Sequence, residues 1–83
     1  MRIVWDEPKR QANIAKHGLD FADLGIEFFA SAHLLPARTD RILAVGGLDS
    51  EIVVAVVFRA LGTEAISVIS MRRANRNERK KIE

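Results

Sequence analysis

No cysteine occurs among the 83 residues, so neither a disulfide framework nor a thiolate metal site is available, and folding requires neither an oxidising compartment nor structural zinc. The two histidines stand far apart in the sequence with no thiol to join them, so no metal and no cofactor is expected. Tyrosine is also absent, and no phenol can serve as an acid or a base. Long apolar runs are missing: Ile52 to Phe58 is the longest, at seven residues, against roughly 20 for a membrane span. The opening Met1-Arg2-Ile3-Val4-Trp5-Asp6-Glu7-Pro8 has no apolar core of leader type. A cytoplasmic protein without membrane contact is the expectation. Glycine-rich phosphate loops, a Ser-His-Asp set and Walker or Rossmann fingerprints are not found either.

What remains is enough for one small domain spanning 1–83, without repeat or linker. At 48% hydrophobic and 29% charged residues, the chain has material for a single core and is not compositionally disordered. Arg2 to Trp5 reads as a short strand. Asp6 then caps a helix that tolerates Pro8 in its first turn, carries Lys16 and His17 at its cationic end and stops at Gly18. Asp20 caps a second helix, in which Phe21, Leu24, Phe28 and Phe29 recur at helical spacing and lay one apolar stripe on the core. Four strands follow, at His33 to Pro36, Arg41 to Val45, Ile52 to Arg59 and Ala65 to Met71. Gly46-Gly47-Leu48-Asp49-Ser50 is taken as one of the intervening turns. Asn75 and Glu78, at N-cap and N3 spacing, start a third helix. The order β-α-α-β-β-β-β-α implies an α+β fold: a mainly antiparallel sheet packed on two helices, with a basic helix at the C-terminus.

The charge is positional. Arg72 to Glu83 holds six Lys or Arg against two Glu, whereas the whole chain carries only +2. Arg72 and Arg73 leave the last strand, and Arg76, Arg79 and Lys80 share one face of the helix, so five cations are placed to surround a phosphodiester. The same cluster reads equally as a solvated face or as a dock for an acidic partner. Lys16-His17-Gly18 adds a cation and an imidazole at a helix end, and histidine is the side chain suited to proton exchange near neutrality. A lone surface histidine is more often inert. Arg59, ending the central strand, either caps the sheet rim through a carboxylate such as Glu64 or reaches a ligand. Trp5 and the four phenylalanines are assigned to the core, as is a structural role to His33.

Trp5-Asp6-Glu7-Pro8-Lys9, Asn13, Lys16-His17-Gly18, Phe21, Phe28-Phe29 and Ile69-Ser70-Met71-Arg72-Arg73-Ala74 with Glu78-Arg79 closely resemble the BrnT family of toxins, in order and spacing across nearly the whole chain. The resemblance implies a RelE-like fold and a ribonuclease that blocks translation. It also implies neutralisation by a BrnA-like antitoxin with a ribbon-helix-helix segment, through which DNA is contacted only indirectly. Carried over, the family pattern falls on Lys16, His17, Arg72, Arg73, Glu78 and Arg79. Many relatives end the basic helix with a tyrosine where this chain has Ile82. The expected chemistry is metal-independent cleavage by the RNA's own 2′-hydroxyl, with His17, Lys16, Arg72 and Arg73 catalytic and Arg59, Arg76, Arg79 and Lys80 binding RNA. The alternative is a non-catalytic RNA- or protein-binding module whose basic helix docks an acidic partner.

Overall fold

A computed structural model describes residues 1–49 and 51–82. In chain order the elements are β1 (Arg2–Trp5), α1 (Glu7–His17), a 3-10 turn (Phe21–Asp23), α2 (Ile26–Ser31), β2 (His33–Pro36), β3 (Arg41–Leu48), β4 (Ile52–Leu61), β5 (Ala65–Arg73) and α3 (Arg76–Lys80). The five strands form one sheet in the order β1-β5-β4-β3-β2. β1 lies parallel to β5, and every other pair is antiparallel. The apolar run Ile52 to Phe58 therefore occupies the central strand.

Local chemistry accounts for α1. The Asp6 carboxylate accepts from the Lys9 amide at 3.3 Å, and Gly18 takes φ 69° while its amide closes on Ile14 O at 2.8 Å. The helix then lies along β5, beyond the point where β1 stops. Its one buried polar side chain, Asn13, accepts from the Met71 amide at 3.1 Å and donates to Leu19 O at 2.9 Å. A side-chain amide thus does for the free edge of β5 what a further strand residue would do.

Side chains alternate across the sheet. One face carries Val54, Val56, Phe58, Ile66, Val68 and Met71 and packs against Leu19, Phe21, Leu24, Phe28 and Phe29. Burial of each of these large side chains contributes about 1.5–3 kcal/mol. The opposite face has a smaller cluster of Val45, Ala55 and Ala74, flanked by Leu43 and Val53. Ala74 reaches it because the chain turns from β5 into α3 over that face.

Two expectations change. The second helix is not continuous: Asp20 caps only the 3-10 turn, Leu24 is extended, and α2 starts afresh after Gly25. All four residues of the stripe are nevertheless buried, so the periodicity identified the core side chains but not the break that glycine introduces. Gly46 and Gly47 are not a turn. They pair with Val54 and Val53 inside β3, and a Cβ on Gly46 would stand 3.1 Å from Phe28 Cε1, so glycine here lets α2 approach the sheet. The turn comes later, where Asp49 takes φ 55°. Ser50, the end of the expected loop, lies outside the described residues.

Candidate active site

The register of β4 against β5 slips by one residue. Val57 faces Ser70 and Phe58 faces Val68, which leaves Ile69 as a bulge. α1 passes directly beside it. Two adjoining cavities open there, both bordered by Lys9 and Ile69. The first, of about 290 Å³, is lined by Lys9, Ala12, Asn13, Lys16, His17, Ile69 and Ser70. The second, of about 200 Å³, is lined by Asp6, Lys9, Asp40, Arg41, Arg59, Ser67, Val68 and Ile69. Together they make a groove between α1 and β5. Its helical wall is one stripe, Lys9, Ala12, Asn13, Lys16 and His17, at i, i+3, i+4, i+7 and i+8.

The strand side of the groove carries an electrostatic conflict. Arg41 and Arg59 are directly opposite on β3 and β4, and like charges in that relation are destabilising. Asp40 offsets them in part: its carboxylate is 3.6 Å from Arg59 Nη1, with both side chains about half exposed or more, at 65% and 49%. That distance makes a charge pair and not a hydrogen bond, so both groups keep bonding capacity. Arg59 thus finds its carboxylate in Asp40, not in Glu64. Two guanidiniums and a lysine around a hollow, at a cost to stability, are what binding of an anionic ligand requires.

The C-terminal cations are arranged differently. Arg72 pairs opposite Ala55 and Arg73 opposite Val54, so these neighbours point to opposite faces of the sheet and do not converge on one phosphate. Arg72 donates to both oxygens of Glu78 at 2.8 and 2.9 Å, a bidentate pair that raises the guanidinium pKa. Glu78 is held below the usual carboxylate range, first by Arg72, with a smaller contribution from the Asn75 amide. The same carboxylate completes a capping box with Asn75. Arg79 donates to Ala74 O at 2.9 Å, folding back onto the strand exit. Lys80 borders an open hollow of about 440 Å³ with Asn77 and Lys81, which is cationic and, among the described residues, has no histidine or carboxylate in its lining. Arg76 and Arg73 are exposed.

The structure therefore brings Lys16, His17 and Arg59 to one groove and distributes Arg73, Arg76, Arg79 and Lys80 around α3. Arg72 shares the face of Ser70, two residues along β5, and stands between the two sets. Lys9, Asp40 and Arg41 are candidates that the sequence reading left out. The helical spacing of Lys9 from Lys16 would have found the first. Arg41 had no local signal, because its partner lies 18 positions away across a hairpin.

A further hollow of about 350 Å³ lies on the helix-covered side, bordered by Ile26, Phe29, Leu34, Ile42, Phe58 and Ile66 among others. It has no titratable side chain and no means of acid-base chemistry. Among the described residues, no three or more His, Cys, Asp or Glu side chains are grouped as metal ligands, and no helix is long and apolar enough to cross a membrane.

Comparison with known proteins finds both a family and solved structures that this chain resembles. The family model described as the ribonuclease toxin BrnT of type II toxin-antitoxin systems matches residues 5–78. The crystal structure of the Brucella abortus ribonuclease toxin BrnT is similar at 59% identity and a TM-score of 0.87, covering 92% of this chain and 99% of that one. No match was found among curated proteins.

Proposed function

Since the chain belongs to the BrnT family of ribonuclease toxins of type II toxin-antitoxin systems, we propose that it cleaves RNA in the groove between α1 and the Ile69 bulge, by a reaction in which the substrate supplies its own nucleophile. The ribose 2′-oxygen attacks the adjacent phosphorus, the bond to the 5′-oxygen breaks, and a 2′,3′-cyclic phosphate and a 5′-hydroxyl result. The proton leaving the 2′-oxygen needs an acceptor, and the departing 5′-oxygen needs a donor. His17 is assigned one of these transfers. Lys9 and Lys16, on the same helical stripe, offset the charge that builds on the phosphorane. Arg72 extends the cationic wall along β5, with Glu78 fixing its orientation, while Arg73, Arg76, Arg79 and Lys80 attract flanking RNA. None of these roles requires a metal ion.

The observation that carries this reading is that Lys9 borders two adjoining hollows, one lined by Lys16 and His17 and the other by the opposed Arg41 and Arg59. An antitoxin partner and an RNA substrate follow from the family. The antitoxin is assigned the BrnA type, whose ribbon-helix-helix segment makes the DNA contact, with the complex residing in the cytoplasm and cleavage halting translation.

The test is a cleavage assay in excess EDTA with analysis of the product ends. Wild-type protein is expected to generate 2′,3′-cyclic phosphate ends. His17→Ala is expected to reduce the rate roughly 100-fold or more, the usual contribution of a positioned acid or base, and Lys9→Ala to do so to a similar extent. RNA that is bound and never cut, loss of cleavage in EDTA, or undiminished rates in both variants would each overturn the proposal.

A further inference from the structure

The smaller cavity has a composition that phosphate binding alone does not explain. Phosphate calls for donors, yet this hollow also carries the carboxylates of Asp6 and Asp40 beside Lys9, Arg41 and Arg59. The Asp6 carboxylate is engaged at the start of α1, where it accepts from Lys9 N. Among the described residues Asp40 has no such engagement, and its one ionic contact there is the 3.6 Å approach to Arg59, so an acceptor with lone pairs to offer stands next to a guanidinium with N–H groups to offer. Ser67, facing Arg59 in the register, adds a hydroxyl that both donates and accepts.

That alternation of acceptor and donor is complementary to one nucleobase edge. Guanine presents O6 as an acceptor beside N1–H and N2–H as two donors. A carboxylate receives the two donors together, and a neighbouring guanidinium donates to O6. Adenine offers an unprotonated N1 at the position facing the carboxylate, and cytosine places N3 in the same relation, so both set a lone pair against a negative charge. Uracil presents a single donor, N3–H, and makes one bond where guanine makes two. A cavity of about 200 Å³ has room for a single planar base. Single-stranded RNA is the form in which such an edge is available, since its unstacked bases can be splayed outward and read on their Watson–Crick side.

We infer that the hollow formed by Asp40, Arg59 and Ser67 is a guanine-selective subsite, which seats the base of a nucleotide adjoining the phosphate held at Lys9 and His17. Arg41, opposite Arg59, is left to face the connecting phosphate. The inference rests on the RNA-cleaving reading of the groove and adds to it a choice of base. Lys9 joins the two: it borders both hollows, so a nucleotide with its phosphate at Lys9 reaches Asp40 with its base.

The experiment compares 3′-GMP, 3′-IMP and 3′-AMP by NMR titration of the full chain, which reads the subsite whether or not the protein cuts RNA. GMP is expected to shift the amide signals of Ser67, Val68 and Arg59 and to bind roughly tenfold more tightly than AMP, the discrimination typical of a bidentate base contact. IMP, lacking the N2 amino group, is expected to fall between them. Asp40→Ala, at an exposed position, is expected to bring the three affinities together, with the amide spectrum away from the hollow unchanged as the check that the fold persists. In parallel, RNA oligonucleotides differing only in G, inosine or A beside the cut are expected to be cleaved in that order. Equal affinities for the three nucleotides, or a guanine preference unchanged by Asp40→Ala, would overturn the subsite. Cleavage failing altogether while GMP selectivity persists would overturn the ribonuclease reading and leave the subsite in place.

Discussion

Asn13 is the residue on which the geometry of the groove turns. It is the buried polar side chain of α1, 7% exposed, and both ends of its amide are used, one on Leu19 O and one on Met71 N. The second bond joins residues 58 positions apart and fixes the stripe of Lys9, Lys16 and His17 against the bulge in β5. Asn13→Asp changes almost no volume but replaces the donor to Leu19 O with an oxygen that repels it. Asn13→Ala leaves both partners buried and unpaired, and each such group costs about 1–3 kcal/mol. Urea denaturation is therefore expected to show Asn13→Ala destabilised by about 3 kcal/mol and Asn13→Asp by at least about 2 kcal/mol, whereas the exposed Gln11→Ala stays within about 0.5 kcal/mol of wild type. An Asn13→Asp protein as stable as wild type would show that the amide does not hold α1 in place. The role of Asn13 was not legible beforehand: a lone asparagine in a helix carries no mark of a partner 58 residues away, although its position one turn before Lys16 and His17 was plain. Lys16 and His17 themselves were legible, because the glycine that stops the helix places them at its end whatever the rest of the chain does.

At the scale of elements, α3 shows how much a short helix depends on one carboxylate. Five residues are too few to be stable alone, and the helix is held by Glu78, which accepts from Arg72 and from the Asn75 amide. The pKa of Glu78 is lowered from the ordinary 4.5, chiefly by Arg72. A depressed carboxylate contributes stability that is fully present above its unfolded value and is lost as pH falls through the folded one. The helix is thus expected to keep its dock at neutral pH and to release it only below about pH 4.5. Carbon-detected NMR of the Glu78 carboxyl, followed together with the amides of residues 76–80, checks this. Glu78→Gln is expected to show the released spectrum already at pH 7, and a docked α3 in that variant would contradict the assignment. The capping box was readable from Asn75 and Glu78 alone. The bidentate pair with Arg72 was not, and it changes what Arg72 does: an arginine expected to be a free phosphate ligand also ties the helix to the sheet. The split of the second helix and the run of β3 through Gly46 and Gly47 were missed for a related reason. Glycine carries no side-chain information, and whether it breaks a helix, turns a chain or admits a neighbouring ring depends on what packs against it. Here Phe28 decides the case of Gly46.

For the whole molecule, the net charge of +2 understates the attraction for RNA, because the cations are gathered on the groove and around α3. Binding of single-stranded RNA is expected to weaken with salt by a log–log slope of about −0.7 for each phosphate neutralised, so Lys9, Lys16 and Arg41 together give about −2. Fluorescence anisotropy over a range of salt concentrations measures the slope. Lys9→Ala and Arg41→Ala are each expected to lower its magnitude by about 0.7. If neither substitution changes it, the RNA does not follow the groove.

The sequence by itself determined the α+β order of elements, the caps of α1 and α3, the aromatic core and the family, since each is written in residues close together or in a pattern spread evenly along the chain. Only the tertiary structure decided that Lys9 and the opposed Arg41 and Arg59 share a groove with His17, and that Arg72 and Arg73 face opposite ways. Those relations are set by strand register and by the bulge at Ile69, where a shift of one residue exchanges the two faces of a sheet. That register results from pairings between distant segments and the packing of helices over them.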